Sequence, residues 1–175
     1  RLAGFGGRGL PNSRESRATS HESREEPKYL NSPDSDVFRK GEILFGLHAG
    51  RDTILKKAEV TLVEGYMDAI SLHQAGFTTT VAPLGTALTT THIRLLKRFS
   101  PAFRILFDPD EAGIKAALRA LPLLLAEGVL ARAVLLPAGL DPDAFIRERG
   151  ADALRALFAS DRDLFDMAMD VILKA

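Results

Sequence analysis

Six carboxylates follow apolar runs closely enough to act together. Glu64 ends "TLVEG", Asp68 comes one helical turn later, and Asp108 and Asp110 follow "RILF" as "DPD". Asp141 and Asp143 form a second "DPD" after "AVLLPAGL". Carboxylates brought together repel one another unless a cation sits among them. An all-oxygen donor set selects a hard ion, Mg²⁺ or Mn²⁺, over zinc, and Mg²⁺ held by a few carboxylates handles phosphates. Each acid also has a plainer reading. Asp110 would cap a helix starting near Glu111. Asp141 before Pro142 has the pattern of an N-cap followed by proline at the first helical position. Asp68 would complement a helix dipole. Glu64 lies between an apolar strand and a glycine turn, with no helix start of its own to serve.

The elements that must position these acids alternate from residue 59 onward. Strands are expected at "VTLVEG", "TTTVAPLG", "FRILFD" and "ARAVLLP". Helices are expected at "MDAISLHQAGF", "TTTHIRLLKRFS" with Thr89 or Thr90 as N-cap, and "EAGIKAALRALPLLLAEG". The third helix is expected to lay Ile114, Leu118, Leu121 and Leu125 along one stripe, to kink at Pro122 and to have Gly128 just past its end. From residue 142 the chain reads as helical to its end. Short, apolar, β-branched strands separated by helices signify an α/β fold, a parallel sheet covered on both faces. Its functional crevice lies outside the C-terminal strand ends, where the acids fall.

The 175 residues allow one substantial domain and a smaller piece. Lys+Arg and Asp+Glu are both 23, so net charge argues neither for nor against a polyanionic partner. The absence of cysteine excludes disulfides, thiolate chemistry and cysteine zinc sites within this sequence, and fits a cytoplasmic setting. No apolar run approaches the roughly 18 residues of a membrane span. Residues 11–26, "PNSRESRATSHESREE", bury too little to offset their ordering entropy and read as a mobile loop. The sequence opens without Met inside what reads as an ordered segment, so it is expected to be part of something longer. His21, His48, His73 and His92 lie on separate elements and are expected to be structural or solvated. "GFGGRG" lacks the ending of a phosphate loop. "APLGT" (82–86) ends its strand at the same rim, where Gly85 and Thr86 would approach a phosphate or make a turn.

With Glu64 and the Asp-x-Asp pair placed, the sequence resembles a Toprim domain. "PKYLNSPDSDVFRKGEILFGL", "VEGYMDAISLHQAGF", "APLGTALT", "HIRLLKRF", "FDPDEAGIKAALRAL" and "GLDPDAFIRERG" resemble, more narrowly, the catalytic core of the bacterial replicative primases of DnaG type. The family has Gly between the two aspartates where this sequence has Pro109, and the loop at 11–26 is longer than the family leads one to expect. The resemblance implies a Toprim (Rossmann-like) parallel sheet over 58–140, preceded at 1–57 by part of a small α+β subdomain and followed at 141–175 by C-terminal helices. It implies synthesis of RNA primers from ribonucleoside triphosphates on single-stranded DNA, by nucleotidyl transfer with Mg²⁺ or Mn²⁺ and no zinc in this stretch. Glu64, Asp108 and Asp110 would be catalytic; the same three with Asp68, Asp141 and Asp143 would form the metal site. Arg8, Lys28, Tyr29, Asn31 and Lys40 would hold nucleotide or template. A replicative helicase would be met through a domain outside this sequence, at the replisome of a bacterial cytoplasm, with no membrane partner. Two other readings remain at this stage. One is Toprim cleavage of phosphodiesters, as in nucleases and topoisomerases; the catalytic tyrosine of a topoisomerase sits on a separate domain, and Tyr29 and Tyr66 both lie inside primase-like motifs. The other is a metal-bound module that recruits replication partners without turnover.

Overall fold

The computed structural model describes residues 4–8, 29–108 and 110–174, without the side chains of Arg8, Tyr29 and Lys174. The loop expected at 11–26, Lys28 and Pro109 therefore lie outside the described residues. The chain forms two compact units, Arg1–Arg39 and Lys40–Ala175.

In the smaller unit, β1 (Gly6–Arg8) pairs antiparallel with β2 (Tyr29–Asn31). The Phe5 N–H donates to Ser32 Oγ at 2.9 Å. Phe38 is buried, and a Cβ at Gly4 would meet its ring at 2.8 Å, so glycine lets the chain cross that ring closely.

The larger unit is built on a six-stranded sheet in the order β3-β5-β4-β6-β7-β8. The strands are β3 (Leu44–Phe45), β4 (Glu59–Leu62), β5 (Thr80–Pro83), β6 (Ala102–Phe107), β7 (Ala131–Leu135) and β8 (Arg162–Asp163). The helices are α1 (Leu47–Lys57), α2 (Tyr66–Gln74), α3 (Thr90–Lys97), α4 (Glu111–Ala126), α5 (Pro142–Ala159) and α6 (Leu164–Lys174). The four strands expected from the sequence are parallel and central. The sheet as a whole is mixed, because β3 and β8 close its edges antiparallel. β3 and α1 belong to this unit since β3 pairs with β5. β8 interrupts the expected helical tail. Gly150, at φ 79°, also breaks α5, because an L-residue adopts that conformation only under strain.

Period-two burial separates two cores. Leu62, Val81, Ile105 and Phe107 face one side, with Ile54, Ile93, Leu96, Leu124 and Leu164 from α1, α3, α4 and α6. Val63, Ala82, Leu106 and Val134 face the other, with Leu72 of α2 and Phe145 and Leu154 of α5. Helices on both faces explain why the central strands carry continuous apolar runs.

Helix α4 continues through Pro122. One expectation for α4 is corrected. Its buried stripe is Gly113, Ala117, Ala120 and Leu124, one position off the large apolar residues. Small residues line this stripe because the helix lies close to the sheet. A Cβ on Gly113 would fall 2.2 Å from the Asp108 carbonyl oxygen. Gly113→Ala should therefore push the first turn of α4 off the end of β6, destabilising the fold by about 1–3 kcal/mol in urea denaturation. The exposed neighbour Ala112→Ser is the control, expected to change stability by less than about 0.5 kcal/mol.

Candidate active site

β4 and β6 are adjacent and parallel, with Leu62 in register with Ile105. Two residues past Leu62, Glu64 comes level with the end of β6, where Asp108 follows. The Asp108 N–H donates to the Glu64 carboxylate. Glu64 is nevertheless raised above the ordinary glutamate range, first by desolvation among the strand ends and then by the charges of Asp108 and Asp110; the Arg119 cation opposes this.

Asp68 sits in the first turn of α2, whose N-cap is Gly65. Its carboxylate folds back so far that a Cβ on Gly65 would meet Oδ2 at 2.8 Å. Burial pushes it up to about 7, with the charges of Asp108 and Asp141 adding to the shift and the Asp143 N–H opposing it. Asp108 is thus a common neighbour of Glu64 and Asp68.

The other acids have structural partners as well. Asp110 Oδ1 accepts from the Gly113 N–H at 2.8 Å and caps α4; Asp141 Oδ1 accepts from the Ala144 N–H at 2.7 Å and caps α5. Both caps are those the sequence pattern suggested. A cap engages one oxygen and leaves the second open to another partner. Asp143 accepts from Ser71 Oγ and pairs with Arg147 at 3.0 Å, so both of its oxygens are engaged. Among the described residues, no three His, Cys, Asp or Glu side chains are gathered tightly enough to enclose a metal by themselves.

Of the expected nucleotide-binding residues, Lys40 opens the larger unit, and its carbonyl oxygen lies 3.0 Å from His92 Nε2. Arg8 and Asn31 stand on β1 and β2 of the smaller unit, as does the backbone of Tyr29; the Arg8 and Tyr29 side chains and all of Lys28 are outside the described residues. His92 is buried and completes a capping box with Thr89, and burial holds its ring below the usual imidazole range. His73 Nε2 lies 2.8 Å from the Thr80 carbonyl oxygen. Both histidines are structural.

Three contributors escaped the sequence reading. Arg119 is the cation that opposes the shift of Glu64, and Ser71 and Arg147 hold Asp143.

This sheet and acidic rim define a Toprim-like domain. The family model described as Toprim-like matches residues 61–146, and the model described as DNA primase catalytic core, N-terminal domain, matches residues 1–51. The DNA primase of Aquifex aeolicus is 46% identical over 166 residues, which cover 95% of this chain and 31% of that protein. A crystal structure of a DNA primase domain from Pseudomonas aeruginosa superposes with a TM-score of 0.84 at 40% identity, covering 98% of this chain and 51% of that one. A DnaG primase catalytic domain bound to single-stranded DNA gives 0.79 at 38% identity, covering 94% and 50%. The chain belongs to the DnaG-type DNA primase family and matches a stretch of its catalytic core. It spans about a third of the length of its Aquifex relative.

The buried charge at Asp68 makes stability depend on pH. Its folded value, about 7, exceeds the ordinary 3.8, so between these limits the folded state binds more protons than the unfolded one. The contribution of Asp68 to the stability of the metal-free chain should be greatest near pH 4 and fall as pH rises toward 7, at up to about 1.4 kcal/mol per pH unit. Asp68→Asn should flatten that slope and be more stable than wild type at pH 8. Urea midpoints across pH 4–8 in EDTA measure both effects.

Proposed function

We propose that this chain supplies the nucleotidyl-transfer centre of a primase, extending RNA primers from ribonucleoside triphosphates on single-stranded DNA. One observation carries the reading: Glu64 and Asp108, from neighbouring parallel strands, converge with Asp110 at the sheet rim of a chain matched over 95% of its length to a DNA primase. The single-stranded DNA bound to the DnaG catalytic domain of similar fold supports the same class of template here.

The donor chemistry of the rim fits a divalent metal. Its donors are carboxylate oxygens, and Glu64 and Asp68 are each raised by desolvation and then by neighbouring acids, as expected of a site that a hard cation would relieve. Mg²⁺ keeps several waters and binds through one or two protein carboxylates together with substrate phosphates, so a closed cluster of three is not required. Glu64, Asp108 and Asp110 would hold Mg²⁺ or Mn²⁺, with Asp68, Asp141 and Asp143 supporting them. When bound, the metal supplies charge neutralisation of the triphosphate and orientation of the attacking hydroxyl. Glu64, crowded and raised, is also suited to accept a proton. The caps at Asp110 and Asp141 lock two acids to helix starts, which sets the rim before substrate arrives. Arg8, Lys28, Tyr29, Asn31 and Lys40 would hold nucleotide or template phosphate; arginine does so as a bidentate fork and lysine as a point charge.

Glu64→Gln and Asp108→Asn in the intact protein should each lower primer synthesis by at least about a hundredfold while preserving the fold. Primer yield within about twofold of wild type would remove these residues from the reaction. Cleavage of the template without ribonucleotides would point instead to phosphodiester hydrolysis.

A further inference from the structure

A cavity of about 290 Å³ opens beside Glu64, on the face of the sheet covered by α4. Leu62, Ile105 and Phe107 from the sheet and Ala116 and Leu123 from α4 line it. The turn after β5, with exposed Thr86 and Ala87, also lines it. Glu64 and Arg119 are its charged members. The catalytic reading uses the carboxylate of Glu64 and leaves this space with no role.

Size and lining limit what can enter. An apolar cavity of about 150 Å³ is enough to hold benzene. The volume beside Glu64 is larger and leaves room for one ring with a short polar group. Apolar walls between a sheet and a helix favour a flat body, and the polar group must reach the charged members. The charge there is unequal. Arg119 stands against Glu64, and Glu64 also feels Asp108 and Asp110. The field at the polar end therefore favours a cation, and a planar cation with two N–H groups matches a carboxylate in bidentate fashion.

We infer that this cavity is a binding site for small planar aromatic cations of the aryl-amidine or aminoaryl class, with the ring between β4, β6 and α4 and the cation on Glu64. Such a molecule engages the Glu64 carboxylate and withdraws it from the rim. The inference does not depend on the primase reading, since it concerns binding at a cavity and not the reaction at the rim.

The probe is benzamidine, with neutral benzamide and anionic benzoate as matched controls, titrated into the full chain and followed by methyl NMR. Benzamidine should shift the methyls of Leu62, Ile105 and Leu123 saturably, and benzoate should bind at least tenfold more weakly. Glu64→Gln should bring benzamidine down to the level of benzamide. Ala116→Phe should fill the cavity and abolish binding, and the milder Ala116→Met should weaken it at least fivefold; melting curves establish that each variant is folded. Failure of benzamidine to move these methyls up to its solubility limit overturns the inference. So does benzoate binding as tightly as benzamidine, or affinity unchanged in both Glu64→Gln and Ala116→Met.

Discussion

The charge of Asp108 is felt by two other carboxylates, and much of the larger unit is arranged to tolerate that repulsion. Glu64 comes from β4 and Asp68 from α2, and each is raised by desolvation together with the charge of Asp108. Like charges in partly buried positions are unfavourable without compensation. The fold offsets part of the strain with backbone dipoles. The Asp108 N–H donates to Glu64, and the Asp143 N–H stabilises Asp68. These donors belong to residues that are themselves acidic, so the acids are held close by the peptide groups that carry them. What remains uncompensated is the charge a cation would neutralise.

Holding the rim in place is the task of the layers beneath it. The parallel register of β4 with β6 sets Glu64 beside Asp108, and two separate cores pin the strands from both faces. α4 can begin three residues after Asp108 only because Gly113 admits the Asp108 carbonyl oxygen at a distance no side chain would allow. At the opposite end of the same strands, Arg104 pairs with Asp161 at 2.9 Å and lies over the Phe158 ring. That contact ties β6 to the end of α5 with few exposed groups, where an ion pair is worth more than on open surface.

Much of this was legible in the sequence because burial writes itself as a period. The four central strands and the helices between them followed from short β-branched runs separated by capped helical segments. The acids could be assigned to one edge because each follows such a run. The antiparallel strands β3 and β8 were not legible, since two residues are too few to show alternation. The α4 stripe was misplaced for a different reason. Hydrophobicity marks the large residues Ile114 and Leu118, whereas close packing on the sheet selects Gly113 and Ala117. Within the site, the caps at Asp110 and Asp141 were visible as local patterns. The bond from Ser71 to Asp143 and the influence of Arg119 on Glu64 join distant parts of the chain, and spacing carries no trace of them.

The proposed nucleotidyl transfer would give this rim a chemical purpose consistent with its physics: a crowded set of oxygen donors beside which a triphosphate and a metal would share charge. On this reading a divalent cation relieves the repulsion about Asp108. That relief is tested most directly by thermal melts of wild type and Asp108→Asn in EDTA, Mg²⁺ and Mn²⁺ at fixed ionic strength. Wild type should gain on the order of 2.7 kcal/mol at a hundred times the dissociation constant. Asp108→Asn should match or exceed wild type without metal and gain much less with it. A variant that loses stability in EDTA, together with a wild type that shows no shift at any metal concentration, would contradict the account and leave Asp108 as part of a structural hydrogen-bond network.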